Sequence, residues 1–315
     1  MQVSNVQVSN SSGVVCVASW NADLVSRVAR PIGRGETLLA SHFEVSPGGK
    51  GSNAAVACAR QGTRTAVIAR IGDDEFGRMA LELWRHEGID AEHVQQAPGE
   101  RSGVAQILVY DDGDNSIAVA PGAGAGLGEA QVHAARDAIT RCRVVMACNE
   151  VPLAATLAAF RIARAAGVTT LLNPAPARAL PDTLLQLTDV LTPNESELRA
   201  LAPLVDAGDL QASARALLAR GAGAVLVTLG GAGCCLVRRG VAEQRLVGWR
   251  VDAVVDTIGA GDTFTGALAS QLARGEEIGA AMRHANAAAA LSISGRGAIA
   301  GMPTRDQVLA LLARR

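Results

Sequence analysis

The alternation of short apolar runs with helical segments after Gly128 constrains the fold of this chain more than any other feature. The runs, at residues 144–148, 169–172, 189–191 and 224–227, are rich in Val, Leu and Ala, which is typical of strands buried in a parallel sheet. Polar or glycine residues follow every run. Because ligands bind beyond the carboxyl ends of such strands, the pattern predicts an α/β fold with a doubly wound, mostly parallel sheet, helices on both faces and a ligand crevice along one edge.

The most informative single segment is residues 256–266, which read Asp-Thr-Ile-Gly-Ala-Gly-Asp-Thr-Phe-Thr-Gly. An alternating run at 250–255 predicts a strand before it, and small residues from Thr263 predict a helix after it. Its first two glycines let the backbone approach a charged ligand at a helix N-terminus, where unpaired N–H groups attract anions. Asp262 would repel an anion unless it has a separate task, such as taking a proton from an attacking hydroxyl. Because Asp also caps helices well, a catalytic base and a simple cap both remain open.

The first predicted strand, residues 13–18, ends just before Asn21 and Asp23. These two side chains either hold a polar ligand at the strand exit or form an ordinary turn. No Gly-x-Gly-x-x-Gly fingerprint follows this strand, which argues against a dinucleotide site. The next polar segment, residues 48–53, reads Gly-Gly-Lys-Gly-Ser-Asn ahead of a predicted helix at 54–61. It can pass close to a hydroxylated or anionic ligand, but it lacks the spacing of a Walker P-loop.

A small β-sheet lid is predicted from two further regions. Residues 28–45 have no helical period and predict short strands at 37–40 and 42–45. Two strand-like runs, at 103–110 and 116–120, flank the turn Asp-Asp-Gly-Asp-Asn and predict a hairpin. The expected organisation is an N-terminal tail at 1–12 and a single α/β domain at 13–312, with lid strands from about 24–46 and 100–121.

Charge and cysteine content narrow the classes of partner. The net charge is −1 with both signs interspersed, so neither nucleic acid nor a membrane surface is an expected partner. The six cysteines are scattered without metal-ligand spacing, which favours a reducing cytoplasm. A polar N-terminus and the lack of a long apolar run predict a cytoplasmic protein without a signal peptide or a membrane span.

Taken together, the segments 48–53 and 256–264 resemble the two signatures of the PfkB (ribokinase) family of carbohydrate kinases. The resemblance is collinear from about residue 14 to 312 and includes Asn21-Ala22-Asp23, Gly72-Asp73-Asp74, Asn173-Pro174-Ala175-Pro176-Ala177, Thr192-Pro193-Asn194-Glu195 and Thr228-Leu229-Gly230. It implies an ATP- and Mg²⁺-dependent kinase that phosphorylates a sugar hydroxymethyl group, with ribose as the first acceptor to expect.

The resemblance also implies site residues. Asp262 would be the general base, and Gly259, Ala260 and Gly261 would form an anion hole. The implied sugar contacts are Asn21, Asp23, Gly49, Lys50, Gly51, Asn53, Glu150 and Asp262. The implied ATP contacts are Asn194, Thr228, Gly230, Gly233, Gly261 and Asn286.

Two metal sites follow from the same resemblance. Glu197 would help to position Mg²⁺ through water, although an acid in a first helical turn also stabilises the helix dipole. An activating monovalent cation, usually K⁺, would be held by Asp256, Ile258, Ser292, Gly295, Gly297 and Gly301. Asp256 can equally be a turn residue. Two departures concern the ligand contacts: Asn286 stands where some family members carry His, and residues 120–124 lack an Asn common in that turn.

Three alternatives stay open. Another kinase of the family could act on a nucleoside, on fructose or fructose phosphate, or on 2-keto-3-deoxygluconate. A non-catalytic sugar- or nucleotide-binding protein could keep the fold, and an NAD-dependent oxidoreductase is disfavoured by the missing fingerprint. Because a lid of few strands leaves unpaired edges, we also expect a homodimer joined through the lids.

Overall fold

The computed structural model describes residues 13–203, 208–251 and 253–314, so the predicted tail at 1–12 lies outside the described residues. The strands are β1 (Val14–Val17), β2 (Asn21–Arg27), β3 (His42–Gly48), β4 (Thr65–Gly72), β5 (Asp90–Ala97), β6 (Gly103–Val109), β7 (Asn115–Ala120), β8 (Val144–Cys148), β9 (Thr169–Asn173), β10 (Val190–Leu191), β11 (Ala224–Thr228), β12 (Cys234–Arg238) and β13 (Val241–Leu246). The α-helices are α1 (Lys50–Arg60), α2 (Glu75–His86), α3 (Glu129–Ala134), α4 (Arg136–Arg141), α5 (Leu153–Ala165), α6 (Asp182–Leu185), α7 (Glu195–Leu201), α8 (Leu210–Ala219), α9 (Ala260–Ala273), α10 (Ile278–Ser292) and α11 (Arg305–Leu312).

A large sheet forms the centre, and the strands described for it are ordered β13-β12-β11-β10-β9-β8-β1-β4-β5. The strands from β5 to β11 in this order pair in parallel, whereas β12 and β13 form an antiparallel edge. The central strands β1 and β8 are buried along their whole length. The predicted doubly wound, mostly parallel sheet is therefore confirmed.

Successive residues of the central strand enter two different hydrophobic cores, because side chains of a strand alternate between the faces of a sheet. Val14 and Cys16 pack into the core that contains α1, α9 and α10. Val15 and Val17 pack into the core on the other face, which contains α5, α7 and α8. The two helices that begin with the glycine-rich segments, α1 and α9, thus share one face of the sheet.

The lid is the second sheet, with its described strands in the order β3-β2-β6-β7. Strands β2 and β6 pair in parallel, and the two outer pairs are antiparallel. Only residues 18–20 separate β2 from the central strand β1, and β3 ends at Gly48, directly before the N-cap of α1. The first two lid strands are therefore connected directly to β1 at one end and to α1 at the other.

Two predicted strands are wrong. Residues 37–40 form no strand, and Leu39 is 94% exposed. The described part of 250–255 is also irregular, because the backbone N–H of Val255 donates to the carbonyl of Ile293 at 2.8 Å instead of joining a sheet. Alternating apolar residues thus occur here without a strand partner.

The two glycine-rich segments enter their helices earlier than predicted. Helix α1 begins at Lys50 rather than residue 54, and α9 begins at Ala260 rather than Thr263. Sequence analysis does not predict β5 or the β12–β13 hairpin, and β5 and β13 are polar strands at the two edges of the sheet. None of the helices in the described ranges is long and apolar enough to cross a membrane.

Candidate active site

The first turn of α1 lies against the carboxyl ends of the two central strands. Ser19, just beyond β1, donates through its hydroxyl to Glu150 Oε2 at 2.7 Å and accepts from the backbone N–H of Gly51 at 3.0 Å. Glu150, just beyond β8, also accepts from the backbone N–H of Lys50 at 2.9 Å. These contacts bring three predicted sugar contacts to the predicted crevice. Ser19 was missed, because a lone Ser after a strand carries no distinctive signal.

Close backbone approach explains the glycines of this turn. Gly49 is the N-cap of α1 at φ 90°, in the left-handed region that favours glycine. A methyl group there would lie 2.8–2.9 Å from backbone atoms of residues 19–21. Gly51 is equally confined, because a methyl group would lie 2.5–3.0 Å from the backbone of Ala18 and Ser19. The loop is thereby pressed onto the exit of β1.

Asp262 lies in the first turn of α9 and does not cap it. The N-cap is Gly259, in the left-handed region at φ 77°, and it makes no side-chain cap hydrogen bond. The Asp262 carboxylate instead accepts a hydrogen bond from Asn53 Nδ2 at 2.9 Å. The side chain is buried at 5% exposure. The cap reading of Asp262 is therefore wrong, and its carboxylate faces the first turn of α1.

Charges around this carboxylate have opposing effects on its pKa. Burial raises the pKa of Asp262, while the Lys50 ammonium and the Asn53 hydrogen bond lower it, and the carboxylates of Glu150 and Glu197 raise it. The same Asp262 charge is the main cause that raises the pKa of Lys50. A buried carboxylate whose pKa is raised toward the working pH suits a general base, because it must accept a proton and later release it.

The lid contributes Asn21 and Asp23, both on β2. Burial, followed by the charge of Glu150, raises the pKa of Asp23 to about 7. Asn53 Oδ1 is a buried acceptor that lacks a hydrogen-bond partner among the described residues. A buried acceptor without a partner is costly unless a ligand satisfies it, so this oxygen suits a ligand hydroxyl.

A cavity of about 220 Å³ lies between the lid and the large sheet. Asn21 and Glu150 line it together with Ser19, and Val119 and Pro121 supply apolar walls on the lid side. The other predicted sugar contacts do not line this cavity, but hydrogen bonds and charge interactions link Lys50, Asn53 and Asp262 to its rim.

A second cavity, of about 300 Å³, brings together all six predicted ATP contacts, namely Asn194, Thr228, Gly230, Gly233, Gly261 and Asn286. Gly230 and Gly233 have positive φ. Ala260 and Phe264 continue the wall along α9. Gly261 lines this cavity, and the next residue, Asp262, contacts Asn53. The start of α9 therefore lies between the predicted ATP contacts and the predicted sugar contacts.

Sequence analysis missed Trp249 and Thr257, which also line the second cavity. Both belong to the irregular segment between β13 and α9, where the sequence predicts a strand. An aromatic residue flanked by Gly248 in an aromatic-poor chain was the available signal for Trp249. Asn286 is fixed at this wall by donating from Nδ2 to the Val247 carbonyl at 3.0 Å.

Asn194 and Glu197 form a reciprocal capping box at the start of α7. Asn194 Oδ1 accepts from the Glu197 backbone N–H at 2.8 Å, and Glu197 Oε2 accepts from the Asn194 backbone N–H at 2.9 Å. Glu197 is nonetheless close enough to affect the pKa of Asp262 and of Lys50. Glu197 therefore stabilises the start of α7, as one interpretation predicts, and it also lies near Asp262 and Lys50.

The predicted cation residues lie on two segments that touch. Asp256 accepts from the backbone N–H groups of Ile258 and Gly297, each at 2.9 Å. Gly295 donates from its backbone N–H to the Ser292 carbonyl at 3.3 Å. A methyl group on Gly301 would collide with that same carbonyl, so Gly301 also lies against it. Asp256 is therefore a turn residue, as one interpretation predicts, and the segments that carry the six predicted cation residues lie against each other.

A cavity of about 560 Å³, larger than these two, lies elsewhere. It lies at the amino ends of β1 and β4 and is lined by Val14, Thr65 and charged residues that include Arg64 and Asp137. No predicted site residue lines it.

Comparisons with known proteins identify the family of this chain. A model of the pfkB family of carbohydrate kinases matches residues 11–305. Ribokinase of Haemophilus influenzae is 37% identical over 300 residues, which is 94% of this chain and 97% of that protein. A bifunctional ribokinase/ribose-5-phosphate isomerase A of Fructilactobacillus sanfranciscensis is 38% identical over 94% of this chain, and the chain spans 55% of that protein.

Solved structures have the same fold. The structure of Arabidopsis thaliana ribokinase complexed with ribose and ATP matches with a TM-score of 0.90 at 30% identity. The match covers 96% of this chain and 99% of that one.

Proposed function

The chain belongs to the pfkB family of carbohydrate kinases, and from this premise we propose that it transfers the γ-phosphate of ATP to the 5-hydroxyl of D-ribose. One observation carries the proposal. Gly261 lines the 300 Å³ cavity, and the next residue, Asp262, binds Asn53 from the glycine-rich turn of α1. A phosphate donor in that cavity and an acceptor held by that turn would meet at one buried carboxylate.

Asp262 acts as the general base in the proposed reaction. Its carboxylate takes the proton of the acceptor hydroxyl as the acceptor oxygen forms a bond to the γ-phosphorus. The bond between the γ-phosphorus and the bridging oxygen breaks, and ADP leaves with that oxygen. Burial raises the pKa of Asp262, and the Lys50 ammonium opposes this by favouring the ionised form that a base requires.

The first turn of α9 stabilises the transferred group. The first N–H groups of a helix have no intrahelical acceptor, so those of Gly259 and Gly261 can donate to an anion. The N–H of Ala260 donates to the Thr257 carbonyl at 3.3 Å, and it would exchange this long contact for the anion. The positive end of the helix dipole acts in the same direction. Gly261 has open space around its α-carbon, which leaves room for a phosphoryl group.

The charges favour a neutral acceptor over a phosphorylated or carboxylated sugar. Lys50 already interacts with Asp262, Glu150 and Glu197. An anionic acceptor would therefore meet a net negative site. The acceptors available on Asn53, Asp23 and Glu150 suit the vicinal hydroxyl groups of a pentose. Ribose is therefore a better expected acceptor than fructose phosphate or 2-keto-3-deoxygluconate, both of which carry a negative charge.

The donor set also fits the two proposed cations. Glu197 and Asn194 would hold hydrated Mg²⁺, which neutralises charge on the phosphate oxygens of the nucleotide. Asp256 and the carbonyls of Ile258, Ser292, Gly295, Gly297 and Gly301 would hold K⁺. One carboxylate with several backbone carbonyls suits a weakly held alkali cation.

An ADP-release assay with ATP, Mg²⁺ and K⁺ tests the proposal, with ribose, deoxyribose, fructose, adenosine and 2-keto-3-deoxygluconate as acceptors. We expect turnover with ribose that Asp262→Asn abolishes. Turnover with a different acceptor would keep the mechanism and overturn the substrate. Calorimetric binding of ribose and ATP without turnover would instead support a non-catalytic binding protein, and a fully active Asp262→Asn variant would overturn the mechanism.

We also propose that two copies join through their lids. The outer lid strands β3 and β7 have unpaired edges in the described sheet, and both carry exposed apolar side chains, namely Phe43 and Val45 on β3 and Ile117 and Val119 on β7. Light scattering should give the mass of a dimer, and Phe43→Glu should give that of a monomer. A monomeric parent protein would contradict the proposal.

A further inference from the structure

Arg60, the last residue of α1, binds a loop that packs against the turn before α9, whose N–H groups form the proposed anion hole. Its Nε and Nη2 atoms donate to the two carboxylate oxygens of Glu87 at 3.0 and 2.7 Å. Its Nη1 donates to the carbonyls of Ile299 and Met302 at 2.7 and 3.0 Å. One guanidinium thus connects α1, the end of α2 and the loop at residues 293–302, which we call the anchor loop.

This connection is largely buried. The Arg60 side chain is 22% exposed and that of Glu87 is 9% exposed. A bidentate pair of this kind fixes both position and orientation, because the planar guanidinium matches the carboxylate geometry. Removing one partner leaves the other charge unpaired in a low-dielectric setting, so the pair resists separation.

The anchor loop contacts the turn that precedes α9 at three places. The Ile293 carbonyl accepts from the backbone N–H groups of Val255 and Asp256 at 2.8 and 3.2 Å. Gly297 donates from its backbone N–H to Asp256 Oδ2 at 2.9 Å. A methyl group on Gly259 would lie 2.9–3.1 Å from Ala298, so the loop forms the back wall of the anion-hole turn.

Ala298 lies next to Ile299, whose carbonyl Arg60 binds. A shift of the loop at Ile299 therefore moves the wall that fixes Gly259. We infer that Arg60, oriented by Glu87, is a positioning residue that fixes the anchor loop against Gly259 and thereby keeps the N–H groups of the anion hole in place. The catalytic consequence rests on the function proposed above, whereas the anchoring itself does not.

The same helix carries contacts of the acceptor side. Asn53 and Lys50 lie in the first turns of α1, and Arg60 ends it. Helix α1 packs closely on α9, because a methyl group on Gly266 would lie 2.7 Å from Ala57 Cβ. Helix α1 thus carries two predicted sugar contacts, packs against the helix that carries Asp262, and binds the anchor loop through Arg60.

The test compares Arg60→Met, which keeps the aliphatic stem, with Arg220→Met as a matched control. Arg220 also bridges a carboxylate and two carbonyls, those of Asp182, Leu180 and Leu201, but it precedes β11 at the amino end of the sheet. Glu87→Gln is a second variant that removes the charge of the partner at nearly constant volume, for the case that Arg60→Met does not fold.

Two measurements are made on each protein. Hydrogen exchange without substrates measures the exchange rates of the backbone amides of Gly295, Gly297 and Met302. All three amides are hydrogen-bonded within the anchor loop or to a residue next to it. We expect about tenfold faster exchange there in Arg60→Met, with α10 unchanged. Steady-state kinetics should give a kcat lowered roughly 10- to 100-fold with a KM for ribose within about twofold of the parent.

The inference would be overturned if Arg60→Met and Glu87→Gln both showed the same exchange rates in the anchor loop and the same kcat as Arg220→Met. A lower melting temperature with exchange raised uniformly in α10 and in the loop would reduce Arg60 to a general stabilising residue and would also overturn it. If the parent does not phosphorylate ribose, the proposed function fails, and the exchange comparison still decides the anchoring.

Discussion

The side-chain amide of Asn53 donates to the carboxylate of Asp262 at 2.9 Å across 209 positions of sequence. This hydrogen bond joins the first turns of α1 and α9. It favours the ionised form of the acid and leaves Asn53 Oδ1 available to a ligand.

The first prediction concerns the pH profile that this bond controls. In Asn53→Ala the carboxylate loses a donor, so the pKa of Asp262 should rise further. The acid limb of kcat should then move to higher pH, because the Asn53 hydrogen bond favours the ionised form of Asp262. Stopped assays from pH 5 to 9 measure the limb, and an unmoved limb would count against the contact.

The second prediction concerns the base itself. Asp262→Asn keeps the side-chain shape but cannot take a proton, so kcat should fall by roughly 10²- to 10⁴-fold. Binding of ATP, measured by calorimetry, should change little, because Asp262 does not line the nucleotide cavity. Asp23→Asn is the control, since it should raise the KM for ribose and leave a measurable kcat. Equal loss of kcat in the two variants would contradict the assignment.

The third prediction concerns stability as a function of pH. The pKa of Asp23 is raised to about 7 in the folded protein from an ordinary value of 3.8, so the folded state binds more protons between these values. Stability from this residue is therefore fully present below pH 3.8 and is lost as pH rises through 7. Asp23→Asn should gain on the order of 2–3 kcal/mol over the parent at pH 8 and little at pH 4.

Urea unfolding at pH 4, 6 and 8 measures this difference. Asp137→Asn, at a side chain that is 84% exposed, is the control and should track the parent. A gain for Asp23→Asn that does not grow between pH 4 and pH 8 would refute the burial argument.

The fourth prediction separates two neighbouring glycines. Gly259 has φ 77°, and a methyl group there would lie 2.9 Å from the Ala298 carbonyl oxygen. Gly259→Ala should lose roughly 1–3 kcal/mol of unfolding free energy as well as activity. Gly261 is helical with open space around it, so Gly261→Ala should gain about 0.5–1 kcal/mol.

Gly261→Ala should nevertheless be a poor enzyme, because its methyl group enters the cavity assigned to the nucleotide. A fall in kcat/KM for ATP on the order of tenfold or more is expected. Thermal unfolding and initial rates on the same preparations check both effects. A variant that is both more stable and fully active would show that the cavity holds no phosphate at this point.

Local sequence signals predicted much of the fold and most of the candidate contacts. Polar residues after buried runs, such as Glu150, lie at the sheet edge because the chain must leave a parallel strand there. Glycines before helices, such as Gly49 and Gly259, permit the positive φ that each adopts at its helix start. These features depend on neighbours in sequence, so a single chain displays them.

Features that depend on distant partners were not predicted. The alternating residues at 250–255 carry the signal of a strand, but the backbone there binds Ile293 instead of a neighbouring strand. Trp249, directly before this segment, lines the nucleotide cavity together with Asn194 and Asn286, which are distant in sequence. The role of Arg60 arises from carbonyls more than two hundred residues away.

Three residues, 18–20, connect the central strand β1 to the lid strand β2, which carries Asn21 and Asp23. A displacement of the lid would therefore carry these two side chains away from Asn53 and Asp262. Lid closure and acceptor capture would then be a single equilibrium. Under the proposed function, this coupling would limit ATP hydrolysis in the absence of sugar, because Asn21 and Asp23 would reach the site only when the lid is closed.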